Sequence, residues 1–414
     1  MTPTPYREAS EHLADVLRLV LLRIKRRIVL ERQSGRHKPD DPFSGLYLSA
    51  ELVDTLLQPY PAAGPGPRAE AGELSAVDGG IDEAERRLQQ RVAATGPGVF
   101  LPLERACSAF ALDRTSRLLL AILLCHEIFP QAHDLLARLG HDLVGPHVTV
   151  RIALDLLARH PQEVVALGSW FSPFHPLQRS GLVEAVPPPA GHPQSTFLDR
   201  RLRPAPALLR FVLGDQGDLG SPWADVQLVQ ATLAPAELRR PASEQQLVAR
   251  WLALPAGPAT PVLSLSGPAG VGKRTLLATL AAARGRLLVA ARLPAAEPAS
   301  PTALAELLRR AAQEALFHDA VLYLDCQLSP ALVETPDPLL LGFAGSHPGP
   351  LALGSGKRWS RTGFGRSVHE LLLSSPDAEQ RLTLWQDVLG GDGGDGNDGG
   401  DGNDGGDGND GGDG

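Results

Sequence analysis

Residues 267–275 read GPAGVGKRT, and Gly267, Gly272 and Lys273 fall at the spacing GxxxxGK. Glycines there let the backbone turn sharply enough to aim several N–H groups at one anion, and the lysine adds a point charge that reaches β- and γ-phosphate oxygens. Gly267, Pro268, Ala269, Gly270, Val271, Gly272, Lys273, Arg274 and Thr275 are therefore the candidate phosphate-binding residues, with ATP as the expected ligand. One position departs from the ordinary pattern. The hydroxyl that ligates magnesium normally follows the lysine, but Arg274 stands there and Thr275 comes one residue later. A step of one residue turns a helical side chain by about 100°. Nucleotide binding that is weaker, or less dependent on magnesium, is the expectation.

The second acidic element is VLYLDC, where Asp325 closes an apolar strand in the manner of a metal-orienting carboxylate. Asp325 and Thr275 are the candidate metal ligands. Many such sites carry a glutamate directly after this aspartate to activate water; here the position is Cys326, a poor base, so hydrolysis is expected to be slow or absent. Farther on, LALGSGKRW brings Ser355 to a strand end near a γ-phosphate, and Arg366 is a candidate trans-acting arginine that would neutralise transition-state charge.

Chemistry at this loop needs a strand before it and a helix after it. PVLSLS precedes the loop and RTLLATLAAA follows it. Beyond them the pattern alternates: strands over 262–266, 287–291, 321–324, 351–353 and 367–373, with helices over 273–283 and 302–317. Continuous apolar strands separated by helices predict an α/β parallel sheet, a P-loop nucleotide-binding module over residues 242–389.

Ahead of that module the pattern is mostly helical. Leu13, Val16, Leu17, Val20, Ile24 and Ile28 have helical spacing, with Lys25, Arg26 and Arg27 among them, so residues 6–33 read as one amphipathic, core-packing helix. A short helix capped near Ser49 is expected within 41–57, completing an N-terminal segment over 1–57. A Pro/Gly/Ala-rich linker spans 58–80. Residues 81–234 form a helical domain in which Asp113 caps one helix and another starts near Thr149. Short helices followed by a helix, a strand and a loop suggest a winged helix. Its candidate recognition helix, around 170–180, offers Gln178 and Arg179 as polar readers, which is too little charge for a DNA footprint.

Composition narrows the rest. Formal net charge is -8, but the Gly/Asp/Asn segment over 390–414 holds eight aspartates; without them acids and bases balance at 39 each. That segment is expected to be a disordered low-complexity tail. Three widely spaced cysteines do not form a disulfide framework, and no signal peptide or membrane-spanning run is apparent, which points to the cytoplasm.

DPFSGLYLSAELVDTLL, the helical run over 103–160, HPLQRSGLVEAV, the Gly-rich loop and LLLSSPDAEQRLTLWQDVL together resemble the AAA-type ATPases encoded beside phage-tail-like contractile injection systems. The resemblance covers residues 6–389. It implies a winged-helix region followed by two AAA modules, the first degenerate and the second catalytically intact. This sequence matches the first module, and the Gly/Asp tail stands where a helical lid and second module are expected, so the chain looks truncated. The resemblance further implies a ring-forming homo-oligomer and an injection-particle protein as partner.

Overall fold

The computed structural model describes residues 4–33, 72–139, 147–160, 162–173, 175–187, 196–215, 225–257, 259–294, 301–359, 363–379, 381–382 and 385–386. The helix expected within 41–57 and the tail over 390–414 lie outside the described residues.

The N-terminal helix α1 (Ala9–Gln33) buries Val16, Val20, Ile24 and Ile28, one residue per turn along one stripe. It packs along α2 (Glu73–Ala94), which begins inside the stretch expected to be linker, so that linker ends before Glu73. Two arginines of α1, Arg23 and Arg26, are turned inward. Arg23 Nη2 donates to Glu85 at 2.7 Å and Arg26 Nε to Asp78 at 2.6 Å. Charges this deep are tolerated because each is paired.

Next come α3 (Pro102–Ala109), α4 (Arg114–Ile128) and α5 (Pro130–Leu139). Ser116 N donates to Asp113 Oδ1 at 2.8 Å, the cap expected for α4. Strand β1 (Val148–Thr149) leads into α6 (Val150–Leu157), where Ile152 N donates to Thr149 Oγ1 at 3.3 Å. Helix α7 (Glu163–Gly168) follows. The recognition helix expected around 170–180 is broken into a 3₁₀ turn, Ser169–Phe171, and a four-residue helix α8, Pro176–Arg179. Pro173 and Pro176 are the cause, because each removes a backbone donor and restricts the residue before it. Strands β2 (Val183–Val186) and β3 (Arg201–Pro204) form an antiparallel pair, and with β1 they make a sheet of order β1-β3-β2 closed by α9, Pro206–Leu213.

The second part is a six-stranded sheet of order β4-β6-β7-β8-β5-β9. Its strands are β4 (Val226–Val229), β5 (Val262–Ser266), β6 (Leu288–Arg292), β7 (Val321–Asp325), β8 (Leu351–Ser355) and β9 (Val368–Leu372). All pairings are parallel except β4 with β6, so the sheet is mixed. Strand β4 falls in the stretch assigned to the helical domain; it is an added antiparallel edge. Helices α10 (Ala242–Leu252) and α11 (Lys273–Ala282) cover one face through Trp251, Leu276 and Leu277. The opposite face is covered by α12 (Pro301–Phe317) and α14 (Pro338–Ser346), with α13 (Pro330–Glu334) between them in the chain.

Helix α12 also joins the two parts. Phe317 belongs to the N-terminal core and stacks on Phe211, ring centroids 4.7 Å apart. Arg210 Nη2 donates to Glu314 at 3.1 Å, Gln313 Nε2 to Ser180 O at 2.9 Å, and Arg309 Nη1 to Gly181 O at 2.9 Å.

No single described helix is long and apolar enough to cross a membrane; α4 and α5 meet the test only as a pair bent by 108°, and their apolar residues lie in the core.

Candidate functional site

Every residue of β5 is buried, and the chain leaves its carboxyl end through the Gly267–Gly272 turn into α11. The helices change faces here: α11 leads from β5 to β6 on one side of the sheet, and α12 leads from β6 to β7 on the other. Such a change of face marks the crevice where open parallel sheets take ligands.

Positive φ is required at Gly267 (+152°), Gly270 (+74°) and Gly272 (+88°). Gly267 is also pinned sterically, since a Cβ there would stand 2.3 Å from Leu373 O. Gly267 N donates to Ser355 O at 3.0 Å and Leu373 N to Ser266 O at 2.8 Å, tying the turn to the strands on both sides of β5. Gly272 caps α11 without a side chain, so the first-turn N–H groups receive no side-chain acceptor.

Lys273 is 6% exposed, and its Nζ donates to Gly267 O at 2.6 Å and Pro268 O at 2.8 Å. Burial lowers its pKa, opposed by the charge of Asp325. Asp325 sits half-buried at the end of β7, where its Oδ1 accepts from Gln327 N at 3.0 Å. The glycines, Lys273 and Asp325 are thus gathered at one end of the sheet.

Magnesium fits less well. Thr275 is exposed, and Arg274 occupies the place of the expected hydroxyl. Cys326 is 1% exposed within the core beneath α12 and α14, and burial pushes its thiol pKa well above the ordinary range. It faces away from the loop.

Two further expectations change. Ser355 is fully buried, and its Oγ donates to Lys357 O at 2.6 Å, so the hydroxyl is turned onto its own chain. Arg366, expected to reach a neighbouring subunit, is half-buried; its Nη1 donates to His347 O at 3.3 Å within the same chain, and its Nε and Nη2 are buried without partners. An open cleft of about 890 Å³ runs along β9 and α10, with Arg250, Arg358 and Arg366 in its wall; it meets the Gly-rich turn at Ser266. Ser264 and Ser266, whose Oγ atoms are buried without partners, escaped the sequence reading. Their signal was two hydroxyls in an otherwise apolar strand.

A family model described as winged helix domain, variant, matches residues 2–221. The chain belongs to this family. The match takes in α1 to α9 with the β2–β3 pair, so the helical part is the winged helix domain. Strand β4, the rest of the sheet and the Gly-rich turn lie beyond it. No curated protein matches the chain.

Proposed function

We propose that the sheet domain is an AAA-type P-loop module that binds ATP and uses it as a structural or switching ligand. The observation that carries this reading is the turn between β5 and α11. Three positive-φ glycines, donors of the α11 first turn without side-chain acceptors and the Lys273 ammonium converge at the carboxyl end of a parallel strand. Strand order supports it: β5 lies between β8 and β9, although β6 follows it in sequence. Turnover is weak or absent because the water-activating position holds a core thiol. The setting implied by resemblance is assembly or remodelling of a phage-tail-like contractile injection particle, with copies of the chain meeting around the nucleotide.

A second reading is a non-catalytic adaptor with a vestigial loop. It is favoured by Lys273, whose ammonium is satisfied by the carbonyls of its own turn. Equilibrium titration with a fluorescent ATP analogue separates the two. Saturable binding abolished by Lys273→Ala supports the module; no binding, or binding indifferent to that substitution, supports the adaptor.

A further inference from the structure

We infer that Arg274 supplies the positive charge that magnesium supplies elsewhere, so that this site binds a nucleoside polyphosphate without a divalent cation. The inference rests on the nucleotide-binding reading above. A P-loop ordinarily brings two cationic charges to the β- and γ-phosphates, the lysine and the metal held by the next hydroxyl. Here the residue after Lys273 is itself a cation. Arg274 lies in the first turn of α11, exposed, and its Nη1 makes one long hydrogen bond, 3.4 Å, to the neutral Gln227 Oε1 of β4. No carboxylate among the described residues pairs with it, so its charge is available. A guanidinium grips phosphate oxygens through two parallel N–H donors and needs no dehydration of a metal ion.

The residues that would hold magnesium point the same way. Thr275 is one position round the helix and exposed, so no hydroxyl directly follows Lys273. The turn also carries an unused polar group beside it. Ser266, immediately before Gly267, is 2% exposed and its Oγ has no partner, whereas the Lys273 ammonium rests on the carbonyls of its own turn. A bound phosphate would meet Lys273 within the turn, and Arg274 would turn from Gln227 to reach it.

The test is titration of the full chain with a fluorescent ATP analogue and with inorganic triphosphate, each in millimolar MgCl₂ and in EDTA. Wild-type Kd should agree within about twofold between the two conditions, while Arg274→Ala should weaken binding in EDTA by about tenfold, the loss of one charge-assisted contact. Arg274→Thr puts a hydroxyl directly after Lys273 and should make binding tighter in magnesium than in EDTA. If wild-type binding collapses in EDTA, or Arg274→Ala leaves the EDTA affinity intact, the inference falls. The nucleotide reading survives that result provided Lys273→Ala still abolishes binding. Absence of saturable binding in both conditions, or indifference to Lys273→Ala, removes the nucleotide reading and this inference with it.

Discussion

Replacing Gly267 by alanine tests the geometry of the turn, because two separate constraints meet at that residue. The new methyl would stand 2.3 Å from Leu373 O, whereas ordinary contacts begin at 3.4 Å. Relief needs a backbone shift of about 1 Å, since the obstacle is a carbonyl and not a flexible side chain. That shift strains Gly267 N to Ser355 O and Leu373 N to Ser266 O, at 3.0 and 2.8 Å. Losing one or both costs about 1–2 kcal/mol, and a non-glycine residue at positive φ adds about 1–2 kcal/mol. Gly267→Ala should therefore cost about 3 kcal/mol. Gly270→Ala is the control: its φ is +74° but nothing lies within 4 Å of its Cβ position, so about 1 kcal/mol is expected. Urea denaturation followed by tryptophan fluorescence reports both, since Trp251 and Trp359 are buried in the sheet domain. Equal costs for the two variants, or a Gly267→Ala cost below about 1 kcal/mol, would refute the steric argument.

Two other outcomes are expected. Cys326→Glu should not restore ATP turnover, because the side chain enters the core; an uncompensated carboxylate there should cost about 3–5 kcal/mol, and phosphate release above the wild-type rate would show the orientation to be wrong. His347 is 3% exposed, and burial, with Arg366 beside it, lowers its pKa to about 3. A base held neutral in the folded state leaves stability untouched above the unfolded pKa of about 6.5 and erodes it as pH falls from there toward 3. Between pH 7 and pH 5 this amounts to about 2 kcal/mol, which His347→Asn should remove from the pH dependence of unfolding; identical pH slopes for the two proteins would contradict it.

Local signals in the sequence were sufficient for features decided locally. Asp113 and Thr149 cap the helices they were expected to cap, because a cap is settled within three residues. Strands β5 to β8 were readable from their apolar runs. Strand β4 was not, since VQLV has no distinctive period at four residues and is fixed by its pairing with β6, Val226 opposite Ala291. At the candidate site the residue types were legible and their bonding was not. That Cys326 points into the core, or that Arg366 is tied to His347 O, depends on which side of the sheet each faces and on a helix twenty residues away in the chain. Arg23 and Arg26 of α1 show the same limit: composition displays the charges, but Glu85 and Asp78 decide that these two are internal.

The join between the two parts bears on what the winged helix domain can touch. A major-groove reader needs an exposed helix with several polar side chains and a surrounding positive field. The segment in that position is broken at Pro176, and its Gln178 Nε2 is buried without a partner. Arg179 and Ser180 line a groove of about 510 Å³ whose opposite wall includes Arg309 and Gln313 of α12. Ser180 O and the adjacent Gly181 O accept from those two side chains. These bonds and the Phe211–Phe317 stack hold α12 to the winged helix domain, while α12 also holds Leu304, Leu308 and Ala311 against the sheet. That helix cannot leave one partner without disturbing the other. The arrangement braces the winged helix domain on the sheet domain. A partner bound elsewhere on it would be linked to the sheet through α12.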